Sequence, residues 1–146
     1  MSKFLSLEDV LGADAGDLQK LKQDAISCEK LKADIPVTAL ENKEYKTIKK
    51  DCMQFVPDGT GGMKPDIDDD KLMIRVIIAA ADKDTRSDFS FANKQLLDKL
   101  AVTTADQAVE KLLSPGEIFN AAMVVQDISG FGKKAKKAVE AEVKNS

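Results

Sequence analysis

The segment from Asn93 to Gly132, NKQLLDKLAVTTADQAVEKLLSPGEIFNAAMVVQDISGFG, constrains the fold most, because it carries marked starts and stops for three short helices. The third is the best defined. Ser114 precedes Pro115, and Glu117 stands three residues beyond the serine. A serine hydroxyl in that place accepts a bond from a free N–H of the first helical turn, and the glutamate reaches back to the serine N–H, closing a capping box. Pro115 falls at the first helical position, where its missing N–H is not needed. Ile118, Ala122, Val125 and Ser129 then form one stripe, with Phe119 and Met123 beside it. Gly130 supplies a left-handed stop, and Phe131 folds back on the last turn.

The rest of the chain is read against that helical segment. Ser6-Leu7-Glu8-Asp9 starts a single helical turn that Gly12 ends, and the ADAGD stretch after it is a flexible joint. Leu18, Leu21, Ala25 and Cys28 fall at helical spacing. Leu31, Ala33, Ile35 and Val37 alternate with polar residues and Pro36, which predicts a short edge strand or hairpin near residues 29–37. Thr38 to Glu41 forms a second capping box. It opens a helix with Leu40, Tyr45, Ile48, Cys52 and Phe55 on one side and Lys43, Lys46 and Lys50 on the other. Those lysines read as the wet face of a helix, with an anionic partner as the alternative. Residues 57–70, rich in Gly, Pro and Asp, read as a long mobile loop dividing two halves. Residues 71–81 are apolar nearly all round and predict the central buried helix, with a strand as the alternative reading of their β-branched content. Phe89 and Phe91 plug the core from a short connection. The expected fold is therefore mainly α: a compact multi-helix domain over 1–132, followed by a lysine-rich, weakly helical tail over 133–146.

No catalytic constellation emerges. The chain has no His, so the commonest general base and metal ligand is missing. Cys28 and Cys52 lack CxxC spacing and a His partner, and read as free thiols in a reducing cytosol. The Gly59 to Lys64 run lacks the spacing of a phosphate loop and is followed by Pro65. Asp66, Asp68 and Asp70 have the opening spacing of a calcium loop, but Lys71 and Ile77 stand where its glycine and bidentate glutamate belong. The expectation is no cofactor, no metal and no enzyme. Residues 96–113 have the rhythm of a helix-turn-helix, which keeps a DNA-binding regulator as the alternative function. Asp106, Gln107 and Glu110 argue against it, since a reading helix presents cations and amides to DNA. With a net charge of −3, no long apolar run and an acidic opening stretch, neither nucleic acid, membrane nor secretion is expected. A protein-interaction role remains. Phe119, Met123 and Phe131 are its contact candidates, with core packing as their other possible use.

The order LSLEDVLGAD, buried helix, DFSF corner, QLLDKLAV, TTADQAVEKLL, SPGEI and ISGFG resembles the XkdN-like phage tail assembly chaperones. The likeness spans most of the chain and is best from Leu72 to Phe131. Ala101 stands where the family would place a glycine between the first two helices of the segment. The resemblance implies a protein that binds the tape-measure protein of a phage or prophage tail and helps recruit the tail tube protein. It would act in the bacterial host cytoplasm and be absent from the mature virion. It also implies that a longer frameshifted product can extend the lysine-rich tail. Many copies making repeated weak contacts would suit such a task, which allows self-association.

Overall fold

A computed structural model describes residues 4–131. Among them are seven α-helices and two separate two-stranded antiparallel hairpins, so the fold is mixed α/β with helices dominant, and the mainly-α expectation is corrected. The strand expected near residues 29–37 is present as β2, but its partner β1 and the whole second hairpin arise where a period of two was read as helix or loop. In the first, β1 (Gln23–Cys28) pairs with β2 (Ala33–Thr38) in the register Ile26↔Ile35 and Cys28↔Ala33. Ala25 and Cys28 suit a helical spacing, but the side chains that the strand buries are Ile26 and Cys28, two apart. Ile35 and Val37 join them on the same inner face. Pro36 lies opposite Ala25 on the outer side. A 3-10 turn over Glu29–Leu31 and a left-handed Lys32 close the connection.

The second hairpin replaces most of the expected long loop. Here β3 (Met53–Pro57) pairs with β4 (Met63–Ile67). The true turn is only residues 58–62, where the Asp58 carboxylate accepts from the N–H groups of Thr60 at 2.8 Å and Gly62 at 3.2 Å. Gly59 and Gly61 take the positive φ angles that the reversal demands.

The helices follow their caps. Upstream of the first hairpin, α1 (Leu7–Leu11) is opened by a Ser6/Asp9 capping box, and a short α2 (Ala15–Gln19) occupies the expected joint. The next helix, α3 (Asn42–Asp51), starts three residues later than the Thr38 box predicts. Thr38 is the end of β2, and Glu44 instead accepts from the Glu41 N–H at 2.9 Å. Asp68 caps α4 (Asp69–Lys83), which is the central helix, burying Leu72, Ile74, Val76, Ile77, Ala80 and Ala81. Then come α5 (Lys94–Leu100), α6 (Ala105–Leu112) and α7 (Pro115–Ile128). Ser114 and Glu117 form the predicted capping box, at 3.3 and 2.9 Å. The β1–β2 hairpin lies across α4 and α7, with β2 on α4 and β1 on α7, while α3 and α6 flank α4. Phe91 is wholly buried, with Phe89 edge-on at 4.9 Å. The lysine-rich tail expected over 133–146 lies outside the described residues.

Polar clamps pin the first hairpin at both ends. At its turn, the Glu29 N–H donates to Glu117 at 3.0 Å, Lys30 Nζ to the Lys111 carbonyl at 2.6 Å, and the buried Cys28 thiol to the Leu112 carbonyl at 3.5 Å. At its open end, Asp84 just beyond α4 has a fully buried carboxylate that accepts from Thr38 Oγ1 at 2.9 Å and from Arg86 at 2.8 Å. Arg86 also donates to the carbonyls of Asp24 and Val37, so one guanidinium reaches both strands. Lys83 bonds the Ala39 carbonyl at 2.9 Å and pairs with Glu44.

Ala101 adopts the left-handed conformation that ends α5, at φ 58, and the Val102 N–H reaches back to the Leu97 carbonyl at 3.0 Å. The turn where the resemblance would place a glycine is thus formed by an alanine. A left-handed L-residue costs about 1–2 kcal/mol, and glycine's extra unfolded-state entropy returns part of that. Ala101→Gly is expected to stabilise the protein by roughly 0.5–1 kcal/mol in urea denaturation. Ser114→Ala is expected to cost about 1 kcal/mol in the same assay, through the lost cap.

The Arg86 guanidinium, assisted by Thr38, holds the Asp84 carboxyl down at about 2, against an ordinary 3.8. The folded state therefore binds this proton less readily than the unfolded chain. The clamp contributes fully above pH 3.8 and loses its contribution as the pH falls toward about 2. Denaturation midpoints should drop steeply across that window. Asp84→Asn should be less stable at neutral pH and show a shallower acid-side slope.

Candidate protein-interaction surfaces

The capping box fixes where α7 starts, and that start fixes which side chains face out. Ala121, Ala122 and Val125 are buried, with Ile118, Val124 and Ile128 packed at the margin of the core. Phe119 and Met123 stand one turn apart on the same side of the helix and outside that core. Phe119 is 55% exposed and Met123 is half-buried. The structure therefore brings these two candidates together. Phe131 is placed elsewhere, beyond the other end of α7. Its N–H bonds the Gln126 carbonyl at 2.9 Å, and its ring lies 4.6 Å from that of Tyr45 on α3. It ties α7 to α3 and is only partly open to solvent.

A shallow groove of about 450 Å³ opens where the starts of α4 and α7 meet the end of α6. Met73, Ile74, Leu113, Pro115 and Ile118 give it apolar walls, and Asp70 and Glu110 add carboxylates to its lining. Such a recess suits an apolar or helical segment more than a small polar ligand.

Sequence reasoning missed two further apolar surfaces. On the β3–β4 hairpin, Met53, Phe55 and Met63 are 50%, 68% and 60% exposed. The sequence signal was present as alternating apolar residues on either side of DGTGG, but the glycines and aspartates drew the reading toward a loop. Near the N-terminus, Phe4, Leu5, Leu7 and Leu11 are exposed, and neither α1 nor α2 buries a side chain.

The groups that chemistry would need are engaged in structure. Cys28 and Cys52 are buried free thiols, and burial pushes the Cys52 thiol above its ordinary value. Asp68 bonds the Lys71 N–H, and Asp66 lies on β4 opposite Gln54, so the calcium-like spacing is spent on a strand and a cap. No group of three or more metal-ligating side chains converges among the described residues. In the helix-turn-helix reading, α6 would be the reading helix. It buries Ala108, Val109 and Leu112 toward α4, and Asp106 bonds Arg75 at 3.0 Å. What it leaves exposed is Gln107, Glu110 and Lys111, which gives DNA recognition no support. No helix among the described residues is long and apolar enough to cross a membrane.

Residues 7–144 match the family described as phage XkdN-like tail assembly chaperone protein. No curated protein and no solved structure matches the chain. The match covers nearly the whole chain, from α1 through the capped helices. It agrees with a surface that offers apolar contacts and with polar groups committed to caps and clamps. The chain belongs to the XkdN-like phage tail assembly chaperones.

Proposed function

We propose that this chaperone binds the tape-measure protein of its phage tail and holds it for the incoming tail tube protein, acting in the host cytoplasm by binding alone. One observation carries the reading. Phe119 and Met123 form an apolar pair outside the core on α7, the same helix that walls the apolar groove with Pro115 and Ile118. A long helical chain with bare apolar stripes aggregates before it is enclosed. An aromatic and a thioether side by side can cover such a stripe without demanding one fixed geometry. Small contact areas keep each contact weak, and weak contacts allow displacement by polymerising tube subunits.

The test is co-expression with a fragment of the tape-measure protein. The wild-type chain should keep the fragment in the soluble fraction, and Phe119→Asp/Met123→Asp should reduce the soluble yield severalfold. The variant's own melting curve should stay close to that of the wild type, because neither side chain belongs to the core. Equal precipitation with and without the wild-type chain would overturn the reading.

A further inference from the structure

Residues four apart on a helix are neighbours on its surface, so Pro115, Phe119, Met123 and Asp127 form one ridge along α7. Pro115 lines the groove where α4, α6 and α7 meet. Phe119 and Met123 carry that apolar wall onward along the outer side of the helix. Groove and pair are therefore one track. From Pro115 to Asp127 it runs roughly 18 Å, at about 1.5 Å per residue, which matches about three turns of a partner helix.

The charged groups on this track are all of one sign. Asp70 and Glu110 stand at the groove end and Asp127 at the other. No lysine or arginine lines the groove, and none occurs in α7. Lys111, next to Glu110, lines a separate depression with Ala101 and Gln107. Other acidic side chains of these helices are engaged: Asp68 caps α4, Asp106 pairs with Arg75, and Glu117 accepts from two backbone N–H groups. The side chains of Asp70, Glu110 and Asp127 are exposed and make no hydrogen bond or ion pair among the described residues.

Local structure accounts for only one of these three. Asp70 lies in the first turn of α4, where a helix favours negative charge. Glu110 lies in the last turn of α6 and Asp127 in the last turn of α7, where negative charge is disfavoured. These two carboxylates weaken their helices and gain no partner within the chain. Groups held at a cost to stability are characteristic of surfaces that bind. Like charges at both ends of an apolar track call for the opposite charge on whatever covers it.

We infer that the groove and the α7 ridge together hold a single helical segment, about three turns long, whose apolar stripe is bracketed by lysine or arginine at both ends. The chain that carries this segment is taken from the tape-measure reading, and what is added is which of its segments are selected. The apolar side chains grip, while the carboxylates choose, because charge at a rim sets partner and orientation more than strength.

Fluorescence anisotropy on the full chain tests this with two labelled helical peptides that share one apolar stripe and carry either lysine or glutamate at both ends. The lysine peptide should bind about tenfold more tightly, and added salt should narrow the gap. Glu110→Lys/Asp127→Lys should reverse the order of the two peptides while its melting temperature stays level or rises, because a cation suits the last turn of a helix. Glu110→Gln/Asp127→Asn, which adds no charge, should bring the two affinities close together. Equal binding of both peptides by the wild-type chain overturns the inference, and so does a charge-reversed variant that keeps the wild-type order. Failure of the full chain to bind either peptide overturns it too, the site then being closed by a second copy or by residues 133–146 of the chain itself. The two readings fail separately. A tape-measure fragment that stays soluble, beside peptides bound without preference, removes this inference alone. A fragment that precipitates, beside peptides bound with the expected preference, removes the tape-measure reading alone.

Discussion

Two strands alone do not hold together in water, and the architecture is organised around how one such pair is kept in place. The β1–β2 hairpin has an inner face of Ile26, Cys28, Ile35 and Val37, and α4 and α7 lie beneath it. Burying that face supplies the non-directional part of the attraction. Position is set by polar groups at the two ends. Arg86 touches carbonyls of both strands while Asp84 holds the guanidinium, and Glu117 takes the Glu29 N–H at the turn. Glu117 has two oxygens with two separate tasks, one capping α7 and one receiving the hairpin. The cap that starts α7 is therefore also the anchor that sets where the strands lie. This explains why its carboxyl is held below the ordinary range by the Ser114 and Glu29 N–H groups.

The same rule makes the second hairpin conspicuous. Its apolar face contains as many hydrophobic side chains as the first, yet Ile67 alone of them packs against the core, and Met53, Phe55 and Met63 stay exposed. Asp58 and the two glycines make its turn well formed, so the strands are set by local chemistry and not by a core. An exposed apolar face of this kind marks a surface made for contact with another molecule.

Legibility in the sequence tracked how local the determining interaction was. The starts of α1 and α7 were readable because each rests on a side chain bonding a backbone group three residues away, as Ser6 and Ser114 do. The buried character of α4 was readable because its apolar residues wrap nearly the whole helix. Of the strands only β2 was readable, and the others were not, for two reasons. Over six residues, Ala25 and Cys28 satisfy helical spacing as well as the period of two that Ile26 and Cys28 reveal, and only the partner strand decides between them. The prolines in β3 and β4 look like breakers until their edge positions are known. The late start of α3 has the same origin. Thr38 had the local chemistry of a cap, but Asp84, 46 residues away, bonds its hydroxyl. Of the candidate contacts, Phe119 and Met123 were legible as residues beside the main stripe, whereas the Phe131 contact with Tyr45 joins α7 to a helix far upstream and had no local signal.

Three apolar surfaces are thus distributed over the molecule: the outer side of α7, the bare hairpin and the segment over residues 4–19. Each consists of a few exposed apolar side chains, against roughly 20–30 residues a side in a standard stable interface. Dispersion of this sort has a consequence for mechanism. A single large patch would bind tightly and release slowly, because most differences in affinity appear in the rate of dissociation. Several small ones, used together along a repeating helical partner, hold it by effective concentration and let go when one contact at a time is displaced. For the proposed task of covering a chain and then yielding it to a growing tube, the scattered arrangement is the one whose kinetics fit.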